Sequence, residues 1–371
     1  MGGLIPEVAD GGALIVDLPR GFADDPPDCL GLAALTARHL MDPGAGGPGA
    51  LAHKRAWRTS HRLEADCSSF CFWSALDDGV TGLAAEFARA VPPDTARLAS
   101  MVAAQLRLAD VYQSDAYSRM IDLLEAAAWG PGTPALGTKT TLAAITVTDM
   151  RNCLEASCAE GMVVYPRDAA KGESARIAPL QARWRGERLT SVQPGGTVRV
   201  AVAVPVTVPA LGAVELAVEI LGSHGIGGRL APALRGDRPL AYGLGAFQLS
   251  RGTVGVLAAQ AQVAPEHADV AARVLLETVR SVLSGPVSES ERRASAARVR
   301  TALLLQVDQP FGPVDELRRR HRGQLPLTDL AAAVRERAED GALPAELPGH
   351  PVAMAAVGAL PSRCREQWET R

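Results

Sequence analysis

Short stretches in which apolar residues alternate with small or polar ones occur in both halves of the chain, and this period of two predicts β-strands. The strongest such stretch is residues 197–208, Thr-Val-Arg-Val-Ala-Val-Ala-Val-Pro-Val-Thr-Val. Residues 240–249 and 252–262 follow it as a predicted hairpin. In the first half, the pattern predicts strands at residues 12–18, 59–73 and 161–166.

Between these strands, apolar residues recur at the three- and four-residue spacing of amphipathic helices. Thr148 or Asp149 is predicted to cap one of them, a helix that runs through Cys153. Another helix, at residues 288–306, begins with Ser-Glu-Ser-Glu, which has the form of a capping box. The remaining predicted helices cover residues 29–41, 80–90, 95–110, 118–129, 214–222, 226–235 and 268–283.

A polar stretch without a clear period, residues 168–194, separates the two halves and is predicted to be an interdomain linker. Each half has the order strand, helix, strand, helices. This order predicts an α+β fold of two similar domains, residues 1–178 and 179–371, each an antiparallel-rich sheet flanked by helices. From about Ala342 the chain is rich in proline and is predicted to be peripheral.

The charge balance excludes several classes of function. With 38 basic and 41 acidic side chains, the chain has a net charge of −3 and lacks the basic excess of nucleic-acid binders. It has no apolar run long enough to span a bilayer and no signal-like N-terminal pattern, so we expect a cytoplasmic protein without a membrane partner. Its basic residues are almost all arginine, which together with abundant Ala, Gly and Pro is typical of a GC-rich bacterial genome.

Six cysteines are too few and too scattered for a disulfide scaffold, and no Cys-x-x-Cys pair or zinc-finger histidine accompanies them. We predict buried thiols in a reducing compartment. Cys67 and Cys71 would face the same side of a strand, because side chains repeat there every second residue.

Residues 221–230, Leu-Gly-Ser-His-Gly-Ile-Gly-Gly-Arg-Leu, are followed at 234–242 by Leu-Arg-Gly-Asp-Arg-Pro-Leu-Ala-Tyr. This resembles the C-terminal domain of the insulinase-like (pitrilysin-type) zinc peptidases, in which a Gly-rich turn precedes Ser-x-Arg-Leu and Leu-Arg-Glu-x-x-Gly-Leu-Ala-Tyr. The resemblance extends over most of the chain and implies two homologous insulinase-type domains. Three more segments resemble the family in order and spacing: residues 286–291, 137–151 and 59–76.

The family's zinc site, as the resemblance implies, uses His-x-x-Glu-His on a helix and a more distant Glu. The matching five residues here run from Leu35 to His39, so Leu35 stands at the first ligand position and Arg38 at that of the general base. The distant Glu would fall near residues 107–108, and Asp110 lies out of register. We therefore expect no zinc and no catalytic residue on this chain, and an interior or interface role for His39.

Arg235 and Tyr242 have the seven-residue spacing of a pair that, as the resemblance implies, holds the substrate opposite the zinc. An arginine fork and a tyrosine hydroxyl can both donate to a peptide carbonyl and stabilise developing negative charge. The alternative is structural, with Arg235 closing a helix and Tyr242 packing in a strand. Arg238 is a competing candidate with the wrong spacing, and Pro239 stands where the family has Gly.

Loss of the zinc ligands beside a retained Arg/Tyr pair leads to a specific expectation. The chain resembles the non-catalytic, substrate-binding subunit of a heterodimeric zinc metallopeptidase, in which a homologous partner carries His-x-x-Glu-His and the zinc. It would bind a peptide as an added edge strand, for example the leader of a ribosomally made peptide. The alternative is a non-enzymatic structural or assembly protein that uses the fold as a homodimer. A stand-alone enzyme without metal has little support, because no Gly-x-Ser-x-Gly elbow is present.

Overall fold

The computed structural model describes most of the chain. The described residues are 12–74, 83–132, 134–159, 163–166, 183–207, 212–222, 228–236, 239–251, 254–309, 311–322 and 324–361. No helix within these ranges is long and apolar enough to cross a membrane. The start of the helix predicted at residues 80–90, most of the predicted linker and Cys364 lie outside the described residues.

Helices and strands alternate along the chain in the mixed arrangement that the sequence predicts. The strands are β1 (Ala13–Leu18), β2 (Arg58–Leu63), β3 (Ser68–Trp73), β4 (Val163–Pro166), β5 (Arg188–Ser191), β6 (Val198–Thr207), β7 (Ala241–Arg251), β8 (Val254–Val263), β9 (Ala345–Glu346) and β10 (Ala353–Val357). The helices are α1 (Leu32–Leu40), α2 (Pro48–Lys54), α3 (Leu83–Ala88), α4 (Thr95–Ser114), α5 (Ala116–Trp129), α6 (Lys139–Ala144), α7 (Val147–Ala159), α8 (Ala213–Leu221), α9 (Leu230–Arg235), α10 (Ala268–Ser284), α11 (Glu289–Val307), α12 (Gly312–His321) and α13 (Leu327–Asp340). The α+β class with antiparallel-rich sheets is confirmed.

The chain forms two compact units, and the division between them is not a single cut. The first unit contains residues 1–110, 133–178 and 305–326, and the second contains residues 111–132, 179–304 and 327–371. The chain therefore passes from one unit to the other at several points, and the boundary expected at 178/179 is one of them. α5 belongs to the second unit because its buried face, including Leu124 and Ala127, packs in that unit's core. α12 belongs to the first unit because Val314 packs against Ile15 of β1.

The sheet of the first unit has the strand order β2-β3-β1-β4, and every neighbouring pair is antiparallel. All six residues of β1 are buried. Residues 59–73, predicted as one strand, are instead the hairpin of β2 and β3. The chain reverses at residues 64–67, where the Glu64 N–H donates to the Cys67 carbonyl (2.8 Å). β2 lies at the edge of the sheet and is exposed along most of its length.

Two apolar clusters hold α1 to α4, α6 and α7 of the first unit. One is built around Phe70, Phe72 and Phe87, and the Phe87 ring meets both other rings edge to face. The other joins α1, α4 and α7 through side chains such as Leu35 and Met150. The helix in which the family carries its zinc motif is therefore part of an apolar core.

α7 is capped by Thr146, not by Thr148 or Asp149 as the sequence suggested. The Thr146 hydroxyl accepts from the Asp149 N–H (3.2 Å), and the Asp149 carboxylate accepts from the Thr146 N–H (2.8 Å). This reciprocal pair is a capping box, so Asp149 contributes from the third helical position.

The sheet of the second unit has the strand order β5-β10-β6-β8-β7, with β9 also paired to β6. Only β5 and β10 run parallel; the other pairs are antiparallel. Two of these strands correct the sequence expectations. β5 lies within the segment predicted to be a linker, and β10 lies in the tail predicted to be peripheral, although all of its residues are buried. The short Ala-Met-Ala-Ala-Val run of β10 shows no alternation, because both of its faces are covered.

The two faces of this sheet are covered by different helices. On one face, β6 places Val198, Val200 and Val202 in a core that also contains the apolar sides of α8 and α10. On the other face, small alanines of β6, β8 and β10 pack with α5. Trp129, at the end of α5, meets Trp184 edge to face, with 5.8 Å between the ring centroids.

Candidate functional site

The N-terminus of α1, the helix that aligns with the family's zinc-binding helix, is fixed by a carboxylate from outside the helix. Asp25 accepts from the Gly31 N–H (2.8 Å) and from the Ala33 N–H (2.9 Å). These bonds satisfy amides that the first turn of a helix leaves without partners. Burial raises the pKa of Asp25 to about 6, although the backbone hydrogen bonds act in the opposite direction.

The side chains of α1 do not fit a zinc ion. Leu35, at the first ligand position, is fully buried in an apolar cluster that includes Leu142 and Met150. Arg38 takes the place of the general base and brings a positive charge, which opposes binding of a dication. A catalytic zinc needs three protein ligands with nitrogen, oxygen or sulfur donors, and among the aligned helix positions only His39 is such a ligand.

His39 is an interior residue, with 3% of its surface exposed. Its Nε2 lies 2.7 Å from the Val91 carbonyl oxygen, so Nε2 carries the hydrogen in this contact. Its Nδ1 is buried and has no hydrogen-bond partner among the described residues. The side chain therefore ties the end of α1 to the segment that follows α3, with one ring nitrogen unused.

The helix that aligns with the family's distant Glu, α4, offers no buried carboxylate. Arg107, Leu108 and Asp110 are all exposed. The polar residue that α4 does bury is Gln105, whose Nε2 donates to the Leu136 carbonyl (3.4 Å).

Within the described ranges, side chains of metal-binding type come together elsewhere, at Glu64, Asp66 and Cys67. A guanidinium already lies among them, because Arg322 donates from Nη1 to Glu64 (2.7 Å) and from Nη2 to Asp66 (3.1 Å). Burial raises the pKa of Cys67 to about 12, so the thiol stays protonated at neutral pH. The group is therefore an ion-paired cluster whose cation is an arginine.

A second arginine continues this cluster beneath β1 and β3. Arg318 donates from Nη1 to the Ser69 hydroxyl (3.1 Å), and Ser69 donates to the Asp17 carboxylate (2.5 Å). Asp17 is fully buried, and burial raises its pKa despite the Ser69 hydrogen bond and the positive charges of Arg318 and Arg322. Sequence reasoning missed this network, since its arginines and its acids lie at opposite ends of the chain.

Arg235 is the last residue of α9 and is exposed. Its Nε donates to the Ala241 carbonyl (3.1 Å), and its Nη2 donates to the Tyr242 carbonyl. The side chain therefore joins the C-terminus of α9 to the start of β7, as the structural alternative expects. Its Nη1 takes part in no hydrogen bond among the described residues.

Tyr242 has 68% of its surface exposed, so it does not pack in the strand as the structural alternative requires. In β7, Ala241 pairs with Val263 and Gly243 pairs with Gln262, which makes Tyr242 the extra residue of a β-bulge. A bulge redirects a side chain from the regular alternation of a strand. The structure thus brings Arg235 and Tyr242 together, through a backbone contact, at one exposed corner.

β7 lies at one edge of the sheet that the described strands of the second unit form. Its outer side is engaged where the Ala246 N–H donates to the Gly222 carbonyl (3.3 Å). Elsewhere, an edge strand presents N–H and C=O groups to which an extended peptide can pair. Arg238 and residues 223–227 of the Gly-rich turn lie outside the described residues.

Arg229 and Glu291 position α9, a role that the sequence reasoning did not assign. Arg229 donates from Nε and Nη2 to the two carboxylate oxygens of Glu291, each at 2.9 Å. It also donates to the carbonyls of Ser281 (3.1 Å) and Pro286 (2.8 Å). The hydrogen bonds from Arg229 lower the pKa of Glu291, so this bidentate pair is charged at neutral pH. Both residues lie in segments that resemble the family, which was the available signal.

Comparisons with known proteins match one segment of the sequence and the fold of the chain. Residues 187–298 match the family described as the peptidase M16 inactive domain. A comparison with curated proteins finds no match. The matched segment contains α9, the Arg235–Tyr242 corner and the edge strand β7.

Solved structures share the fold over almost the whole chain. A peptidase M16 inactive domain from Pseudomonas fluorescens matches with a TM-score of 0.72 and 14% identity, covering 94% of this chain and 93% of that one. A putative M16-like peptidase from Alicyclobacillus acidocaldarius matches at 0.69 and 15%, covering 95% and 93%. A chain of complex III2 from Candida albicans, bound to Inz-5, matches at 0.68 and 15%, covering 95% and 92%. By sequence, residues 187–298 are thus similar to the peptidase M16 inactive domain, and the chain as a whole shares its fold with a structure of that domain and with a putative M16-like peptidase.

Proposed function

We propose that the chain is the non-catalytic, substrate-binding subunit of a heterodimeric zinc metallopeptidase. A homologous partner with an intact His-x-x-Glu-His motif would hold the zinc, and this chain would present Arg235 and Tyr242 opposite that metal. The observation that carries the proposal is the exposed Tyr242, on the bulge of an edge strand and beside Arg235, in a chain whose own α1 does not fit zinc.

The edge strand β7 supports a peptide as the ligand. A peptide that pairs with β7 would be held by main-chain hydrogen bonds, which tolerate many sequences. The Tyr242 hydroxyl and Nη1 of Arg235 are donors at the start of that strand, and both suit a peptide carbonyl. Because Arg235 also bonds the carbonyls of Ala241 and Tyr242, the bulge is fixed before the ligand arrives.

The finer parts of the proposal rest on different support. The match of residues 187–298 to an inactive domain supports a protein without its own peptidase chemistry. The partner, and a substrate such as the leader of a ribosomally made peptide, follow from the resemblance in sequence alone. The alternative is a structural homodimer with the same fold. Such a protein would pair with no zinc-bearing homologue and would bind no peptide.

The test is to co-express this chain with a homologue that carries His-x-x-Glu-His, and to measure zinc content and peptidase activity of each chain and of the pair. We expect stoichiometric zinc and activity in the pair only. In the assembled pair, Tyr242→Phe should lower kcat by about 100-fold, the usual loss for one donor to a developing oxyanion. Arg235→Ala should lower activity similarly, whereas Arg273→Gln, an exposed arginine of α10, should change nothing.

Three results would contradict the proposal. Zinc and activity in the isolated chain would mean that its α1 is not the aligned helix. Full activity of the pair that carries Arg235→Ala would remove the substrate-binding role. A stable homodimer that pairs with no zinc-bearing homologue and binds no peptide would establish the structural alternative.

A further inference from the structure

The face of the second unit's sheet that packs with α5 changes character along its length. The strand register places side chains of neighbouring strands in rows across this face. One row, formed by Ala353, Ala203, Ala258 and Phe247, is apolar and packs in the core with α5. Four residues earlier in β6, the row that contains Arg199 is mostly polar. Its members are Ser191, Val357, Arg199, Gln262 and Gly243.

Arg199 lies in the middle of the polar row and is half-buried. Its guanidinium carbon lies 5.4 Å from the ring centroid of Tyr117, and its Nη1 donates to the Gln260 amide oxygen (3.4 Å). No carboxylate of the described residues lies within ion-pair distance of it. Asp115, on whose carboxylate the charge of Arg199 acts, accepts hydrogen bonds from the N–H (2.8 Å) and hydroxyl (2.7 Å) of Ser118. Among the described residues, Arg199 is thus a half-buried cation with unused donors.

The rest of the row leaves room beside this cation. Gln262 donates from Nε2 to the Thr197 hydroxyl (3.0 Å). Across from it on β7 stands Gly243, and a Cβ added there would come no closer than 3.6 Å to another atom. The row therefore has no side chain at its β7 end. Gly243 directly follows Tyr242, so the polar row begins at the proposed peptide-binding corner.

We propose that Arg199, together with Tyr117 and Gln262, binds a carboxylate of the peptide. The inference rests on the proposed function and assigns the peptide a chemical class. A guanidinium holds a carboxylate through two parallel N–H···O bonds, and partial burial strengthens the attraction. The Tyr117 ring fixes the guanidinium from one side through a cation–π contact.

The strand spacing sets where that carboxylate must lie along the peptide. β8 separates β6 from β7, so Arg199 and Gly243 lie about 10 Å apart across the sheet. An extended peptide covers that distance in about three residues. A peptide that pairs with β7 runs along that strand, so the segment that reaches Arg199 must leave the edge at Gly243 and cross the face of the sheet. A carboxylate about three residues from the residue held at Tyr242 is then at the distance of Arg199, whether it belongs to an acidic side chain or to the C-terminus of the peptide.

The test uses four labelled peptides of equal length, rich in Ala and Ser, with a single Glu or Gln and with a C-terminal acid or amide. Affinity for the full chain, alone and in the pair, is measured by fluorescence anisotropy. The wild-type chain should bind the peptide with both carboxylates at least about tenfold more tightly than the peptide with neither. Arg199→Gln should remove this preference, Arg199→Lys should keep part of it, and the control Arg273→Gln should leave it intact.

The outcomes separate the two proposals. A preference that follows Glu assigns the carboxylate to a side chain, and one that follows the C-terminal acid assigns it to the chain end. Equal affinity of the wild type for all four peptides, or an unchanged preference in a folded Arg199→Gln variant, would overturn the carboxylate site and leave peptide binding at Tyr242 standing. Circular dichroism of both Arg199 variants establishes that they are folded. Binding of none of the peptides to the wild-type chain or pair would overturn both proposals.

Discussion

The region around α1 and the corner at the start of β7, which the sequence resemblance aligns with the two halves of a peptidase site, differ in solvent exposure. Around α1, Leu35 is fully buried and His39 is 3% exposed, so the place of the metal is filled by apolar packing. At the start of β7, Tyr242 is 68% exposed, and the partners of Arg235 among the described residues are backbone carbonyls. The first region has become core, and the second remains surface. Burial, and not residue identity alone, therefore distinguishes the two regions.

The largest effect is expected from the buried ion cluster of the first unit. Arg322 is 7% exposed and pairs with Glu64 and Asp66. Arg322→Ala should lower the free energy of unfolding by about 3–5 kcal/mol, because it leaves Asp66 without its cation and leaves Glu64 with only the more distant guanidinium groups of Arg318 (3.7 Å) and Arg62 (3.9 Å). Arg320→Ala, at an exposed position near the end of α12, is the control and should stay within about 0.5 kcal/mol. Urea unfolding measures both, and equal values for the two variants would contradict the structural role.

Leu35→Ala tests whether the place of the metal is now core. Removal of a fully buried leucine side chain should cost about 2–5 kcal/mol, through lost transfer free energy and the cavity left behind. Leu108→Ala on α4, where the side chain is 43% exposed, should cost much less. A small cost at Leu35 would mean that the region around α1 is open, and it would remove the contrast with the β7 corner.

A pH-dependent effect is expected at the N-terminus of α1. The pKa of Asp25 is raised to about 6 from an ordinary value near 3.8, so the folded chain holds this proton more tightly than the unfolded chain. This contribution to stability is complete below about pH 4 and is lost as pH rises through about 6. The stability of the wild type relative to Asp25→Asn should therefore fall over that range. Denaturant unfolding of both proteins at several pH values measures it, and parallel pH profiles would show that the pKa is not raised.

The smallest effect on stability is expected at the open corner. Tyr242→Ala removes a side chain that packs little, so the free energy of unfolding should change by no more than about 0.5 kcal/mol. The same variant should abolish peptide binding by the assembled pair. A large loss of stability would instead place Tyr242 in the packing of the second unit, as the structural alternative had it.

The sequence predicted strands well where side chains of different size alternate. β6 is covered on both faces, but it places valines on one face and mostly alanines on the other, so its period of two is visible. β10 escaped detection because its five apolar residues show no alternation, and β5 escaped it because its four residues are all half-buried and of mixed polarity. The exchange of α5 and α12 between the units could not be predicted, since a helix pattern indicates which face is apolar but not which sheet it packs on.

The candidate site was predicted only in part. The spacing of Arg235 and Tyr242 is visible in the sequence, but their exposure and the bulge depend on how β7 and β8 pair. The ion cluster could not be predicted from the sequence, because Arg322 lies far along the chain from Glu64 and Asp66, to which it donates. Long-range pairing of this kind leaves no local period in a sequence.

The position of β10 has a consequence for how the protein is made. The ribosome synthesises β10 after nearly all of the second unit, yet it takes its place between β5 and β6. Until that stretch emerges, the nascent chain has an unpaired, valine-rich edge on β6, which is a surface that chaperones bind and that promotes aggregation. Because Ala353 pairs with Ala203, which lies far earlier in the chain, we also expect closure of this sheet to be a slow step of folding.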